Sequence, residues 1–347
     1  MNIWIYHICI CHLICNSRQA IKKIGPRLSS IISAILFSSG YFLASLSQGN
    51  LFLLITGIGI ISGFGIGFGY VSSLTTPLKW FPRQKGLITG ISVAGFGAGA
   101  ILLSQLVQIL LNNGISILGI FKIISISYGI IVLLSALVIS NPPNNNKDKA
   151  SETNSFNIKY LLKNGYLWLL FYFMFSNTFS GLLIIGNLKP IGLSYGIGNL
   201  YATLSISFIA IGNSIGRVIW GKLTDHIGGK KTIFYSIVFL STSILLLLAL
   251  ANINYAFLII SFLIGIGFGS NFVLYANEIC NTYGTQNLEN IYPSVHLSYG
   301  FAGIIAPLVG GFLFDATKTY NFAIILASAI SIISAVAFAI KNRKSLF

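Results

Sequence analysis

The chain has 347 residues, of which 55% are hydrophobic and only 8% are charged, and its mean hydropathy is +0.84. Soluble domains carry about 25% charged residues because their surfaces face water. A large buried core cannot account for so little charge, since a soluble domain of this length still exposes much of its surface. The composition therefore excludes an ordinary soluble protein and predicts an all-α polytopic membrane protein.

Ten stretches are apolar and long enough to cross a bilayer as helices, which takes about 20 residues each. They lie near 28–47, 51–75, 86–111, 116–140, 165–188, 198–220, 232–251, 255–277, 291–314 and 321–340. A shorter apolar stretch, 3–16, precedes them, and a long polar segment divides them. We therefore predict an N-terminal helical bundle over 1–141, a cytoplasmic linker over 142–163 and a C-terminal six-helix bundle over 164–347.

The basic residues indicate how the chain crosses the bilayer. Seventeen of the 21 Lys and Arg residues fall in alternate connections or at the C-terminus, whereas the opposite connections hold only Lys122, Lys189 and Lys318. The positive-inside rule places the first set in the cytoplasm. The net charge of +15 is thus a topology signal and not the clustered footprint of a nucleic-acid-binding domain. We expect the lipid bilayer as a partner and no nucleic acid.

An internal repeat relates the two halves of the chain. The sequence GIGFG at 65–69 recurs at 265–269, and a basic turn containing Ile-Gly precedes both copies. Two spans come before Gly228 in the second half, but only 24 residues come before Gly25 in the first. The repeat therefore predicts about 11 helices of an expected 12, with the first helix missing, 3–16 as the tail of the second, and Met1 as an internal or mis-assigned start.

The N-terminal residues invite two other interpretations. Residues 1–16 lack the basic region and the cleavage site of a secretory signal. His7, Cys9, Cys11, His12 and Cys15 match no standard zinc pattern. The chain also has no phosphate-binding loop with Gly-Lys-Ser/Thr, which excludes ATP-driven transport by this chain. We predict no metal, no cofactor and no enzymatic activity.

The segment 221–231, GKLTDHIGGKK, resembles the signature loop of the major facilitator superfamily. The residue types have physical reasons: Gly221 allows close helix approach, Asp225 can accept hydrogen bonds from a helix N-terminus, Gly228 turns the chain and Lys230 holds the loop in the cytoplasm. The first-half counterpart is degraded, because Arg18 and Lys22 replace its glycine and its acid. The resemblance implies a two-bundle fold and alternating access of the two halves around a midplane site.

Two further motifs are similar to the oxalate/formate antiporter and monocarboxylate transporter branch: 80–86, WFPRQKG, and 213–221, NSIGRVIWG. That branch carries a substrate-binding arginine at the position of Arg217. Monocarboxylate transporters often have aspartate where this chain has Asn213. An ionised residue inside a span usually faces a cavity, a partner or a substrate. Arg217 could instead extend its side chain to the cytoplasmic surface of the membrane. A guanidinium fork suits a carboxylate.

Several other residues are candidates for the site. The antiporter branch adds a lysine near Tyr299, and none is found there, which favours a monocarboxylate or a zwitterion over oxalate. His296 could couple protons or be a structural histidine. Asn271, Tyr275 and Tyr70 are candidate cavity walls, with packing as the alternative.

Three acidic residues lie near the ends of predicted spans and are expected to be solvated: Glu278, Glu289 and Asp315. From all these features we predict a multi-pass, monomeric secondary carrier of a small organic anion, in the plasma membrane or an organelle membrane, with proton coupling or exchange. The alternatives are an amino-acid or other zwitterion carrier, and a truncated, non-transporting or regulatory membrane protein.

Overall fold

The computed structural model of the protein describes residues 25–143 and 164–342, and within these ranges it contains helices and no strands. Predictions for the segment 3–16, for Arg18 and Lys22, and for most of the linker fall outside the described residues. The first helix is α1, Gly25–Ser45. The others are α2 (Leu51–Trp80), α3 (Lys85–Asn112), α4 (Ile117–Val138), α5 (Gly165–Ile185), α6 (Leu188–Ser194), α7 (Asn199–Ile227), α8 (Gly229–Leu250), α9 (Asn254–Tyr283), α10 (Leu288–Thr317) and α11 (Asn321–Lys341).

Nine helices in the described ranges are long and apolar enough to cross a membrane. Large apolar side chains on them point outward, as Val138, Phe312 and Ile340 do with 81%, 71% and 74% exposure. Such exposure is unfavourable in water and favourable against lipid. The prediction of an all-α, multi-pass membrane protein is therefore confirmed.

The predicted end of α7 was wrong. The helix continues past 220 to Ile227, so Gly221 and Asp225 lie on a helix and not in a loop. The helix ends at Gly228, whose φ is +87°, and α8 begins at the next residue, Gly229. A φ in this region is easy for glycine and costly for other residues. The resemblance had placed 221–226 in a signature loop, but a helix that leaves the bilayer can continue with polar side chains.

Contacts divide the chain into two compact units. Within the described residues, the first unit holds 25–82, 102–143, 164–165 and 285–300. In it, α1 packs closely on α2, because a Cβ at Gly57 would lie 2.6 Å from the Gly40 carbonyl oxygen. Residues Ile55–Ser62 of α2 form wider π-helical turns at this contact. Ser38 of α1 and Ser125 of α4 exchange hydrogen bonds with each other's carbonyl oxygens, at 2.6 and 2.8 Å.

The second unit holds 83–101, 166–284 and 301–342 of the described residues. Its central feature is a glycine-lined contact between α7 and α9. A Cβ at Gly212 would overlap the Phe262 carbonyl, and a Cβ at Gly265 would overlap the Ile209 carbonyl. Small residues let two membrane helices approach until their backbones touch. The indole nitrogen of Trp220 adds a hydrogen bond to the Ile266 carbonyl, at 2.9 Å.

We predict that Gly265→Ala destabilises the protein because the new methyl group would overlap the backbone of α7. Overpacking of this kind costs about 1–3 kcal/mol, which lowers the melting temperature in detergent by several degrees. Gly311→Ala is the matched control, since a Cβ there meets nothing within 4 Å. Equal melting temperatures for the two variants would contradict the close contact of α7 and α9.

Candidate functional site

Arg217 lies on α7 in the second unit and is buried, with 4% exposure. Its Nη1 donates a hydrogen bond to the carbonyl oxygen of Val93 in α3, and its Nε donates one to Oδ1 of Asn213, at 3.2 Å. Its guanidinium carbon lies 4.9 Å from the centroid of the Phe272 ring. The side chain therefore does not extend to the surface. A carbonyl, an amide and an aromatic face fix the orientation of the guanidinium.

The backbone contacts around Arg217 explain why glycines surround it in the sequence. A Cβ at Gly269 of α9 would lie 3.0 Å from the Arg217 nitrogen, and a Cβ at Gly90 of α3 would overlap the Arg217 carbonyl oxygen. Likewise, a Cβ at Gly86 would overlap the Gly221 carbonyl oxygen, and a Cβ at Gly221 would overlap the Gly86 carbonyl oxygen. Arg217 is therefore held where α7 touches α3 on one side and α9 on the other.

Asp225 lies two turns beyond Arg217 on α7 and caps the start of α3. Its two carboxylate oxygens accept hydrogen bonds from the backbone nitrogens of Gly86 and Leu87, each at 2.8 Å. The first amides of a helix have no partner inside the helix, and the helix dipole favours a negative charge beside them. The carboxylate thus joins the C-terminal end of α7 to the beginning of α3. The charge pattern of the sequence predicts that this end of α7 is cytoplasmic.

Glu278 packs against the turn that follows α7. The prediction from the sequence that Glu278 is solvated is therefore wrong. Glu278 has only 4% exposure and accepts a hydrogen bond from the Tyr166 hydroxyl, at 2.5 Å. Its carboxylate occupies the space that a side chain at Gly229 would need. The Lys230 ammonium lies 5.5 Å from the centroid of the Tyr166 ring. Because α9 continues to Tyr283, Glu278 lies a full turn inside the helix and not at its end.

The other two acids expected in solvent have different outcomes. Asp315 is exposed near the end of α10, so this expectation is confirmed. The side chain of Glu289 falls outside the described part of the structure.

The first unit contains a buried aromatic cluster that joins α2 to the beginning of α10. The hydroxyls of Tyr70 and Tyr292 are 2.8 Å apart and share a hydrogen bond. The His296 ring stacks on Tyr70 at 5.8 Å between centroids and on Tyr299 at 5.3 Å. Tyr292 also lies against His296, at 5.2 Å. Three residues proposed from the sequence, Tyr70, His296 and Tyr299, are thus brought together, and Tyr292 is the member that sequence reasoning missed.

Asn271 and Tyr275 lie on α9 in the second unit, and both are buried. Oδ1 of Asn271 accepts a hydrogen bond from Nδ2 of Asn177 in α5, at 2.8 Å. Sequence reasoning also missed Asn177, Phe272 and the Val93 carbonyl. Asn177 could have been found, since it is the single amide side chain in the sequence of α5. No sequence signal distinguishes the carbonyl of Val93 from those of its neighbours.

The apolar helices define a multi-pass membrane protein, and comparison with known proteins specifies its class. The model of the Major Facilitator Superfamily matches residues 19–292 and 184–345. The oxalate:formate antiporter of Oxalobacter formigenes is 29% identical over 331 residues, which cover 90% of this chain and 75% of that protein. Monocarboxylate transporter 12 of Mus musculus is 22% identical over 371 residues, covering 96% of this chain and 76% of that one.

A solved structure shows the same fold. The crystal structure of the transporter FucP in its outward conformation has a TM-score of 0.69 and 15% sequence identity, and the match covers 96% of this chain and 88% of FucP. The chain belongs to the major facilitator superfamily. It is therefore a multi-pass integral membrane protein of a transporter family and not an enzyme.

We predict that Asp225→Ala frees the first turn of α3, because the amides of Gly86 and Leu87 lose their acceptor. Loss of a capping side chain costs about 1–2 kcal/mol. Amide hydrogen exchange at 85–89, followed by mass spectrometry, should speed up about ten-fold. Asp315→Ala removes an exposed acid and should leave this exchange unchanged. Unchanged exchange in Asp225→Ala would contradict the capping role.

Proposed function

We propose that this protein is a secondary carrier of a small monocarboxylate, which works by alternating access with proton coupling or exchange. The observation that carries the proposal is the buried, oriented guanidinium of Arg217. A cation within a membrane span is costly and is usually retained for function. Its planar fork can donate two parallel hydrogen bonds to one carboxylate, which no lysine can do. The names of the two relatives, an oxalate:formate antiporter and a monocarboxylate transporter, support a carboxylate substrate.

The sequence of the helices supports a substrate with a single carboxylate. α10 contains no Lys or Arg, and the antiporter-like second cation is therefore missing from the position near Tyr299. One guanidinium balances one carboxylate, whereas a dicarboxylate would bring a second charge into a low-dielectric interior at high cost. A single buried cation therefore favours a monocarboxylate over oxalate. It also permits a zwitterion, whose carboxylate would bind Arg217 equally well.

We predict that Arg217→Gln strongly reduces uptake of the carried carboxylate into proteoliposomes. Truncating one partner of a buried, hydrogen-bonded charge pair costs about 2–5 kcal/mol, which corresponds to a loss of about thirty-fold or more. Arg217→Lys keeps the charge but not the fork, so it should retain an intermediate rate. Lys122→Gln removes an exposed cation of α4 and is the matched control. Wild-type rates in Arg217→Gln would exclude the carboxylate-binding role.

The same uptake assay separates the alternatives. Formate, acetate, lactate, oxalate and a panel of amino acids are offered to the reconstituted wild-type protein. Monocarboxylate uptake supports the proposal, and amino-acid uptake alone would identify a zwitterion carrier. Failure to carry any of them would favour the non-transporting or regulatory alternative.

His296 is the proposed proton-coupling residue, because imidazole changes charge near neutral pH. The titratable groups whose rings pack against it are Tyr70 of α2 and Tyr292 and Tyr299 of α10. Protonation of His296 would place a cation against three aromatic faces and thereby alter the contact between these helices.

We predict that His296→Gln makes uptake insensitive to an inward proton gradient, whereas the wild-type protein accelerates several-fold when the outside is acidified. Exchange of labelled for unlabelled substrate at equal pH should continue in the variant, which shows that the protein is folded and binds substrate. Retention of gradient-driven accumulation in His296→Gln would overturn the proton-coupling role.

A further inference from the structure

The second unit contains a pair of buried amides, Asn177 of α5 and Asn271 of α9, both with 0% exposure. Nδ2 of Asn177 donates to Oδ1 of Asn271 at 2.8 Å and lies 3.3 Å from Oγ of Ser270. Two polar atoms of the pair make no hydrogen bond within the described residues. They are Oδ1 of Asn177, an acceptor, and Nδ2 of Asn271, a donor.

The unused atoms argue against a role in packing alone. Two facing amides that only join helices can exchange two hydrogen bonds, and each buried polar atom left without a partner costs about 1–3 kcal/mol. Leucines of similar size would fill the same space without this cost. The Tyr275 hydroxyl, one turn further along α9, also has no hydrogen-bond partner within the described ranges and is buried. Three polar groups are thus kept at a cost that packing does not explain.

The position of the pair relates it to Arg217. Asn271 directly precedes Phe272, whose ring lies under the Arg217 guanidinium. Gly269 brings the backbone of α9 against the backbone nitrogen of Arg217. Consecutive residues of a helix point about 100° apart, so Asn271 and Phe272 leave α9 at the same level but on neighbouring faces. The amide pair therefore lies one residue along α9 from the ring that contacts the cation.

We propose that Asn177 and Asn271 form a second binding point for the transported molecule, which recognises an uncharged hydroxyl or keto oxygen next to the carboxylate. This inference rests on the proposed function. The free acceptor of Asn177 can take a hydrogen bond from a hydroxyl, and the free donor of Asn271 can give one to a hydroxyl or keto oxygen. The two amides carry no charge, so they would select a polar substituent without favouring a second carboxylate.

Three acids with the same carbon number test the proposal: propionate, lactate and 3-hydroxypropionate, which differ only in the presence and place of a hydroxyl group. The wild-type protein in proteoliposomes should have a KM about ten-fold lower for at least one hydroxy acid than for propionate, as one or two hydrogen bonds would give. Asn177→Leu and Asn271→Leu should each raise the KM for that hydroxy acid about ten-fold, toward the KM for propionate, and so remove this preference. Asn252→Ala, at an exposed amide, is the control.

Each outcome has a distinct meaning. A purely structural role for the amides would raise the KM for all three acids together, and that result would overturn the inference. A wild-type protein that carries all three acids with equal KM would also overturn it, even if neither leucine variant folds, and would leave the proposed function standing. A protein that carries no carboxylate would overturn the proposed function and this inference together.

Discussion

The close approach of α7 to α3 and α9 is the constraint on which the rest of the second unit depends. Glycines at each crossing remove the side chains that would keep these helices apart, because a Cβ at Gly86, Gly90 or Gly216 would overlap a neighbouring backbone. The hydrophobic effect contributes little to the association of helices in lipid. Close packing and interhelical hydrogen bonds must therefore stabilise the bundle. Arg217 lies at the centre of this contact and is buried by it.

In the proposed mechanism, the buried cation at this helix contact is both the binding group and a means of coupling. The atoms that orient the guanidinium belong to three helices: Val93 of α3, Asn213 of α7 and Phe272 of α9. An anion that draws the guanidinium toward itself would change its contacts with all three at once. Asp225, two turns along α7, bonds to the same α3 that Arg217 contacts. In that mechanism, binding at Arg217 and capping at Asp225 would act on one pair of helices.

Much of the fold could be predicted from the sequence, because hydropathy, charge asymmetry and repeated glycines are properties of single segments. Arg217 could be singled out for the same reason: an ionised residue within an apolar span is visible without a structure. Other features depend on helix length, helix rotation and the distance between helices, which hydropathy does not report. The burial of Glu278 follows from the extra turns of α9, and the joining of Tyr292 to Tyr70 follows from how α10 faces α2. The Val93 carbonyl has no side-chain signature at all.

The most direct test of the central claim is equilibrium binding of a labelled monocarboxylate, such as lactate, to the purified protein in detergent. We expect saturable binding to one site in the wild-type protein and its loss in Arg217→Gln. The melting temperatures of the two proteins show whether both are folded. Binding of equal affinity in a folded Arg217→Gln protein would contradict the account.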